Sequence, residues 1–144
     1  MTIFILGTVE DTAKNLDPRR LNKQILECQW MINMKEGRTK PSNHPAYKMY
    51  ADYIDWVKLY QSCLKAFKKA DFELCKKLSN EAELARPRFI TKELCDNFKK
   101  RLYTKDPIYY SNYASYGKTE ANYYYVDGQW LRYENGKKTV VENF

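Results

Sequence analysis

Residues 17–30 constrain the fold of this chain more than any other stretch. Asp17 is a favourable helix N-cap, and Pro18 suits the first helical position, where its missing N–H costs nothing. The helix is predicted to run toward Gly37, a residue that favours helix termination. At about 100° per residue, one side of this helix is an apolar stripe. The stripe consists of Leu21, Ile25, Cys28 and Ile32.

Three charged side chains flank the apolar stripe. Arg20, Lys23 and Glu27 fall within a sector of about 60° on helical geometry, so two cations and one carboxylate share a face. This is how a carboxylate would be placed beside phosphates that basic side chains hold. The alternative is a solvated flank with one ordinary ion pair between Lys23 and Glu27. Spacing alone favours that alternative.

Composition limits the classes of function. A chain of 144 residues is long enough for one domain with its own core. The formal net charge of +7 favours an acidic partner, most often nucleic acid. The 13 tyrosines exceed what a typical globular composition contains. Those in the helix predicted at about residues 46–70 are expected to lie in the core and not to form a base-stacking platform.

The four cysteines predict no metal site. They form no CxxC pair and stand singly in helical patterns, which predicts buried free thiols in a reducing compartment. Because His44 is the only histidine, a Cys/His zinc site is not expected, and no cofactor is predicted. The sequence contains no apolar run of 18 residues and no signal peptide. We therefore expect a cytoplasmic or nucleic-acid-associated intracellular protein that is neither secreted nor membrane-bound.

The N-terminal residues 2–6 form a short apolar segment that Gly7 closes. This segment is predicted to be a buried strand or an arm inserted in the core. The small Thr2 should permit removal of Met1, which would leave a free α-amine with a pKa of about 7.7–8. Such an amine can form an imine with a carbonyl-level carbon. Sequence alone nevertheless favours an unreactive Thr2.

Two further helices follow the polar turn at residues 38–45. The second helix is predicted from about residue 46 to residue 70. Its apolar stripe consists of Tyr50, Tyr53, Ile54, Val57, Tyr60, Leu64 and Phe67. Asp71 caps a third helix that runs through Ala85, and the Arg-Pro-Arg sequence at 86–88 ends it.

The fourth predicted helix begins at Thr91 and is strongly basic on one side. Its inward positions are Leu94, Cys95, Phe98 and Leu102. Its outward positions are Lys92, Lys99, Lys100, Arg101 and Lys105. A second cap-plus-proline signal at residues 106–107 then starts a short aromatic segment.

The C-terminal residues predict a β-hairpin. Two alternating aromatic runs, 123–126 and 129–133, flank Asp127-Gly128, the sequence of a type I′ turn. With that turn, Tyr125 lies opposite Trp130 and Tyr124 lies opposite Leu131.

The elements together predict a mainly α fold. We expect one compact helical domain, with residues 1–121 as the helical body and residues 122–144 as a small β-hairpin appendage of the same domain. Asn135-Gly136 provides a second turn into residues 139–141, which would extend the hairpin into a meander.

Three blocks of the sequence resemble the pyrimidine-dimer DNA glycosylase family, which includes the phage ultraviolet-damage endonuclease and bacterial relatives. Residues 16–27, Leu-Asp-x-Arg-Arg-Leu-x-Lys-Gln-x-x-Glu, are similar to the family's first helix. Residues 43–50, Asn-His-Pro-Ala-x-x-Met-Tyr, resemble its His-Pro entry to the second long helix. Residues 98–110 resemble the relatives' basic helix ending in Lys-Asp-Pro and tyrosines. The blocks occur in the family's order and spacing, and the hairpin beyond Asn122 has no counterpart.

The resemblance implies an endonuclease V-like helical fold and a DNA repair activity. Thr2 would supply an amine that attacks the anomeric carbon of a damaged nucleotide, and Glu27 would stabilise the cationic sugar and move protons. The result would be a combined glycosylase and abasic-site lyase that needs no metal or other cofactor. Its partner would be damaged double-stranded DNA, the protein would be a monomer, and the hairpin could contact another protein. The implied DNA-binding residues are Arg19, Arg20, Lys23, His44, Lys99, Arg101 and Lys105.

Two positions depart from the phage member of the family. Ile3 and Leu26 stand where that enzyme has basic residues. If Met1 is retained, Lys23 is the other amine near the site. The alternative functions are a non-catalytic DNA-binding protein that kept the fold, and a structural or packaging protein that condenses nucleic acid.

Overall fold

A computed structural model describes residues 2–118, 122–126 and 129–141. It contains six α-helices followed by three short β-strands, so the predicted mainly helical fold with a small C-terminal antiparallel element is confirmed. The chain divides into two compact units, Met1–Pro87 and Arg88–Phe144, which are described separately. The domain boundary expected between residues 121 and 122 stays a prediction.

The N-terminal segment of the first unit is a buried arm and not a strand. Ile3, Phe4, Ile5 and Leu6 are each less than 7% exposed, yet residues 2–5 have no regular secondary structure. The arm ends at Gly7, whose φ of +143° lies in a region that other residues rarely adopt. A Cβ at this position would lie 2.9 Å from Oδ2 of Asp11, so glycine is required here.

A short helix, α1 (Val9–Asn15), follows the arm and was not predicted. Thr8 is its N-cap and forms a reciprocal capping box with Asp11. The sequence signal, a threonine three residues before an acidic residue, was present. The Thr12 hydroxyl accepts a hydrogen bond from the Leu6 backbone N–H at 2.9 Å, which attaches the arm to this helix.

Helix α2 (Pro18–Lys35) has the predicted start, with Asp17 as N-cap. The Asp17 side chain accepts from the backbone N–H of Arg20 and forms an ion pair with its guanidinium at 3.1 Å. The first turn contains no acidic residue. The predicted stripe is largely confirmed, because Leu21, Cys28 and Ile32 are buried and Ile25 is half-buried.

The single second helix that we predicted is interrupted. Helix α3 (Pro45–Tyr50) leads into a 3₁₀ turn (Ala51–Tyr53), and helix α4 (Ile54–Lys68) follows. Aromatic stacking bridges the interruption, because the rings of Tyr50 and Trp56 lie 5.6 Å apart and those of Trp56 and Tyr60 lie 5.2 Å apart. Apolar periodicity continues through the 3₁₀ turn and therefore did not reveal it.

Helix α5 (Phe72–Leu84) begins after Asp71, which caps it as predicted. It packs on α4, where Sγ of Cys63 lies 3.1 Å from Sγ of Cys75. All four cysteines are free and buried, as predicted. Desolvation raises the pKa of the Cys28, Cys63 and Cys75 thiols, so these thiols are neutral and poor nucleophiles at pH 7.

The second unit begins with helix α6 (Lys92–Lys105), which Thr91 caps as predicted. A 3₁₀ segment (Ser111–Lys118) packs on α6. The antiparallel sheet has the order β1 (Asn122–Val126), β2 (Gln129–Glu134) and β3 (Lys137–Val141).

The predicted strand register is confirmed. Tyr125 pairs with Trp130 and Tyr124 pairs with Leu131, while the third strand makes the hairpin a meander. The Asp127-Gly128 turn itself lies outside the described residues. Across the described parts of the chain, no helix is both long and apolar enough to cross a bilayer.

The core of the first unit provides a stability prediction. Leu64 on α4 is 0% exposed, whereas Leu84 at the end of α5 is 91% exposed. Leu64→Ala should lower the free energy of unfolding by about 2–5 kcal/mol, because it removes buried methyl groups and leaves a cavity. Leu84→Ala should change it by less than about 0.5 kcal/mol. Urea unfolding followed by circular dichroism measures both, and equal effects would contradict the described packing.

Candidate active site

The backbone nitrogen of Thr2 lies beside the carboxylate of Glu27. This nitrogen donates to Oε2 of Glu27 at 3.3 Å, in a partly buried position. In the chain that contains Met1 this nitrogen is a peptide amide, and removal of Met1 would convert it to an α-amine. The N-terminal arm and α2 therefore bring together the two groups that the resemblance names as nucleophile and carboxylate.

The side chain of Gln24 fixes the arm in this position. Its Nε2 donates to the Thr2 carbonyl at 2.6 Å, and its Oε1 accepts from the Phe4 N–H at 3.0 Å. The carbonyl of one residue and the N–H two residues later are the groups that a neighbouring β-strand would pair with. The amide of Gln24, which is only 2% exposed, thus replaces a strand partner. We call this set of contacts the Gln24 clamp.

Tyr60 on α4 supports the clamp from behind. Its hydroxyl lies 2.8 Å from the Phe4 carbonyl oxygen and 3.0 Å from Oε1 of Gln24. Both partners are acceptors, so the hydroxyl donates its one proton to this pair. Desolvation raises the pKa of Tyr60 well above its ordinary value, so the hydroxyl keeps that proton. Tyr60 therefore holds the arm and the Gln24 amide together.

Helical periodicity explains how α2 presents both groups to the arm. Gln24 and Glu27 are three residues apart, and residues at this spacing lie on the same side of a helix. Nε2 of Gln24 lies 3.4 Å from Oε2 of Glu27, so the clamp also contacts the carboxylate. Sequence reasoning assigned no role to Gln24 and placed Tyr60 only in the core. The available signal was a polar residue at an inward-facing position of α2.

The cations on α2 have different surroundings. Arg19 and Lys23 are exposed, and neither forms an ion pair with any other described residue. The Lys23–Glu27 ion pair of the alternative interpretation is not formed, since Glu27 contacts Thr2 and Gln24 instead. Arg20 is half-buried and is ion-paired with Asp17.

His44 is the N-cap of α3. Its Nδ1 accepts from the Ala46 N–H at 3.1 Å, and its backbone N–H donates to the Ser42 hydroxyl at 3.0 Å. Because Nδ1 acts as an acceptor, a neutral His44 carries its proton on Nε2. The contacts of His44 within the described residues are those of a helix cap, and they do not involve Thr2 or Glu27.

The predicted basic residues of α6 belong to the second unit. The helical pattern predicted that Lys99 would face solvent. In the structure, the rings of Tyr113 and Tyr116 cover it. Its Nζ lies 4.9 Å from the ring centroid of Tyr116 and 3.8 Å from Oδ1 of Asp96, and its side chain is 18% exposed. Arg101 is half-buried against the Phe98 ring, and Lys105 is exposed.

The arrangement in the first unit places a carboxylate beside a nitrogen that would become an amine on removal of Met1, a pair that suits acid–base and nucleophilic chemistry. Among the residues that the structure describes, no group of three His, Cys, Asp or Glu side chains could hold a metal ion. A carboxylate within hydrogen-bonding distance of an amine can accept or return a proton during covalent catalysis.

A comparison with known protein families finds a match to part of the chain. Residues 1–66 match the family model described as pyrimidine dimer DNA glycosylase, which supports the resemblance over this part of the chain. The matched region contains Thr2, Gln24, Glu27 and Tyr60, and it ends before α6. No curated protein and no solved structure shows significant similarity to the chain.

The Gln24 clamp makes a prediction for Tyr60. Tyr60→Phe removes the hydroxyl that bridges the arm and Gln24, so the free energy of unfolding should fall by about 1–3 kcal/mol. Hydrogen exchange at the Phe4 amide should accelerate at the same time, because Gln24 Oε1 loses its support. Tyr47→Phe is the matched control, since Tyr47 is 8% exposed and its hydroxyl has no partner among the described residues. Unchanged exchange at Phe4 would contradict the clamp.

Proposed function

We propose, from the match of residues 1–66 to the pyrimidine dimer DNA glycosylase family, that this chain is a DNA repair glycosylase with abasic-site lyase activity. Its nucleophile is the α-amine of Thr2 after removal of Met1, and Glu27 is its catalytic carboxylate. The observation that carries the proposal is the 3.3 Å separation between the Thr2 nitrogen and Oε2 of Glu27. The clamp holds this pair in place on a buried and rigid support.

The amine lone pair attacks the anomeric carbon of the damaged nucleotide, and the bond from that carbon to the base breaks. The electron pair of that bond leaves with the base, which takes up a proton. Opening of the sugar ring gives an imine between Thr2 and the former anomeric carbon. The imine makes the neighbouring carbon acidic, so loss of a proton there expels the phosphate and cleaves the strand.

Glu27 has two roles in this sequence. Its carboxylate balances the positive charge that develops on the sugar as the base leaves. It then accepts and returns protons at the nitrogen and at the sugar, which the 3.3 Å contact with the Thr2 nitrogen permits. Gln24 does not act on the substrate in this scheme and instead positions the nucleophile.

The substrate is damaged double-stranded DNA, with ultraviolet-type lesions as the proposed class. Arg19 and Lys23 lie exposed on the helix that carries Glu27, where they can bind phosphates on either side of the damaged nucleotide. Arg20 adds a guanidinium that Asp17 orients. Lys99, Arg101 and Lys105 on α6 of the second unit are proposed as further phosphate-binding residues. His44 is proposed to act only through its cap of α3.

Glu27→Gln provides the test of the chemistry. Borohydride reduction should trap the wild-type protein covalently on abasic-site DNA, because it reduces the imine to a stable amine. The variant should form at least about a hundredfold less adduct, since loss of general acid–base catalysis typically costs 10²–10⁴-fold. Its DNA affinity should stay within about twofold, because an amide replaces the carboxylate at the same size.

Glu81→Gln on the exposed side of α5 is the matched control and should trap normally. Peptide mapping of the adduct should identify Thr2 and not Lys23 as the linked residue. A protein with one residue added before Thr2 should not be trapped. Normal trapping by Glu27→Gln would overturn the assignment of the carboxylate, and an adduct on Lys23 would overturn that of the nucleophile.

Phosphate binding predicts a dependence on salt. Arg19→Ala/Lys23→Ala should weaken binding to damaged and intact duplexes alike, and should reduce the slope of log K against log salt by about 2. Lys68→Ala/Lys69→Ala removes two exposed lysines at the end of α4 and serves as the control of equal charge. Fluorescence anisotropy across a salt series measures the slopes, and equal slopes for both variants would exclude Arg19 and Lys23 from the interface.

A further inference from the structure

The side of α2 that faces solvent combines cations with large apolar side chains. At about 100° per residue, Arg19, Lys23, Leu26 and Trp30 fall within a sector of about 60°. We call these four residues the α2 outer face. Leu26 is 71% exposed and Trp30 is 36% exposed, so both side chains present apolar surface to solvent.

The outer face lies opposite the side of α2 that packs on the core. The core side of α2 already contains its buried residues, Leu21, Gln24, Cys28, Met31, Ile32 and Met34. Leu26 and Trp30 are four residues apart and adjoin each other on the opposite side. They form a small apolar surface next to two cations that make no ion pair within the described residues.

The position of Glu27 links this surface to the proposed reaction. Glu27 follows Leu26 directly and precedes Trp30 by three residues, so it lies at the edge of the outer face. Along the helix axis Trp30 lies about 4.5 Å beyond Glu27, and Lys23 lies about 6 Å before it. These distances correspond to about one or two base-pair steps of DNA. A strand whose phosphates contact Arg19 and Lys23 would therefore pass within reach of Leu26 and Trp30.

We propose, on the basis of the proposed function, that Leu26 and Trp30 contact the bases at the damaged nucleotide. Trp30 stacks on a nucleobase whose neighbour is lost or displaced, and Leu26 fills the adjoining gap in the base stack. Indole stacking is tolerant of sequence, and leucine is one of the residues that proteins insert between bases. The two cations of the α2 outer face favour a polyanion such as DNA as the binding partner.

A duplex with a tetrahydrofuran abasic analogue separates this contact from the chemistry, because the analogue has no aldehyde and forms no imine. Wild-type protein should bind this duplex more tightly than an intact one. Trp30→Ala should lower affinity for the analogue duplex about tenfold, the range of one lost stacking contact, and Leu26→Ala should lower it severalfold. Trp30→Phe retains a ring and should lose less. Leu84→Ala, which removes an equally apolar and 91% exposed side chain from α5, is the control.

Two further readouts identify the kind of contact. The slope of log K against log salt should be unchanged in Trp30→Ala, because no phosphate contact is lost. A 2-aminopurine placed next to the analogue in the same strand should be quenched when wild-type protein binds and less quenched with Trp30→Ala. Leu26 is so exposed that Leu26→Ala tests the proposal even if Trp30→Ala fails to fold.

The proposal is overturned if Leu26→Ala and Trp30→Ala bind both duplexes as the wild type does. It is also overturned if they lose affinity equally for both duplexes, or if the substitutions alter only self-association in sedimentation. Failure of borohydride trapping on natural abasic DNA would refute the proposed chemistry and leave the result with the analogue unaffected. The two proposals can therefore fail independently.

Discussion

The contact on which the first unit depends is the pairing of one side-chain amide with an extended piece of backbone. Gln24 bonds to the carbonyl of Thr2 and to the N–H of Phe4, and Tyr60 closes the set. Without these contacts the buried arm would have unpaired polar groups, which are costly away from water. Because the arm cannot shift along Gln24 without breaking both bonds, the clamp also determines how far the Thr2 nitrogen is from Glu27. Stability and geometry of the site thus depend on the same atoms.

The helices and strands could be predicted from the sequence better than the contacts between them. Helix starts at Asp17, Asp71 and Thr91 follow from local capping chemistry, which sequence displays directly. The strand register likewise follows from turn length. The 3₁₀ turn after Tyr50 escaped prediction because its apolar pattern is compatible with a continuous helix. The clamp escaped prediction because it joins residues 20 or more positions apart through a side chain and the backbone, and no periodic pattern records such pairs.

In the candidate site, too, individual residues could be identified from the sequence but their contacts could not. Glu27 was identifiable through the resemblance, and the structure places it beside Thr2, which spacing on α2 could not establish. The surroundings of the basic residues could not be predicted, because a helical pattern places a lysine outside without showing what folds over it. Lys99 illustrates this point, since two tyrosines of the 3₁₀ segment cover its charge. In the sequence, Leu26 is notable only because the phage member of the family has a basic residue there. Its exposure in the structure is what makes it informative.

The first turn of α2 contains arginines and no acidic residue at the positive end of a helix dipole. Asp17 compensates Arg20, whereas Arg19 faces the dipole without an ion pair among the described residues. The unbound protein therefore retains a local repulsion, of about 0.3–1 kcal/mol for one such cation. Added salt screens this repulsion, whereas in the proposed complex the cations of the same salt would compete with Arg19 for phosphates. Ionic strength is therefore expected to act in opposite directions on the helix itself and on the proposed affinity for a polyanion.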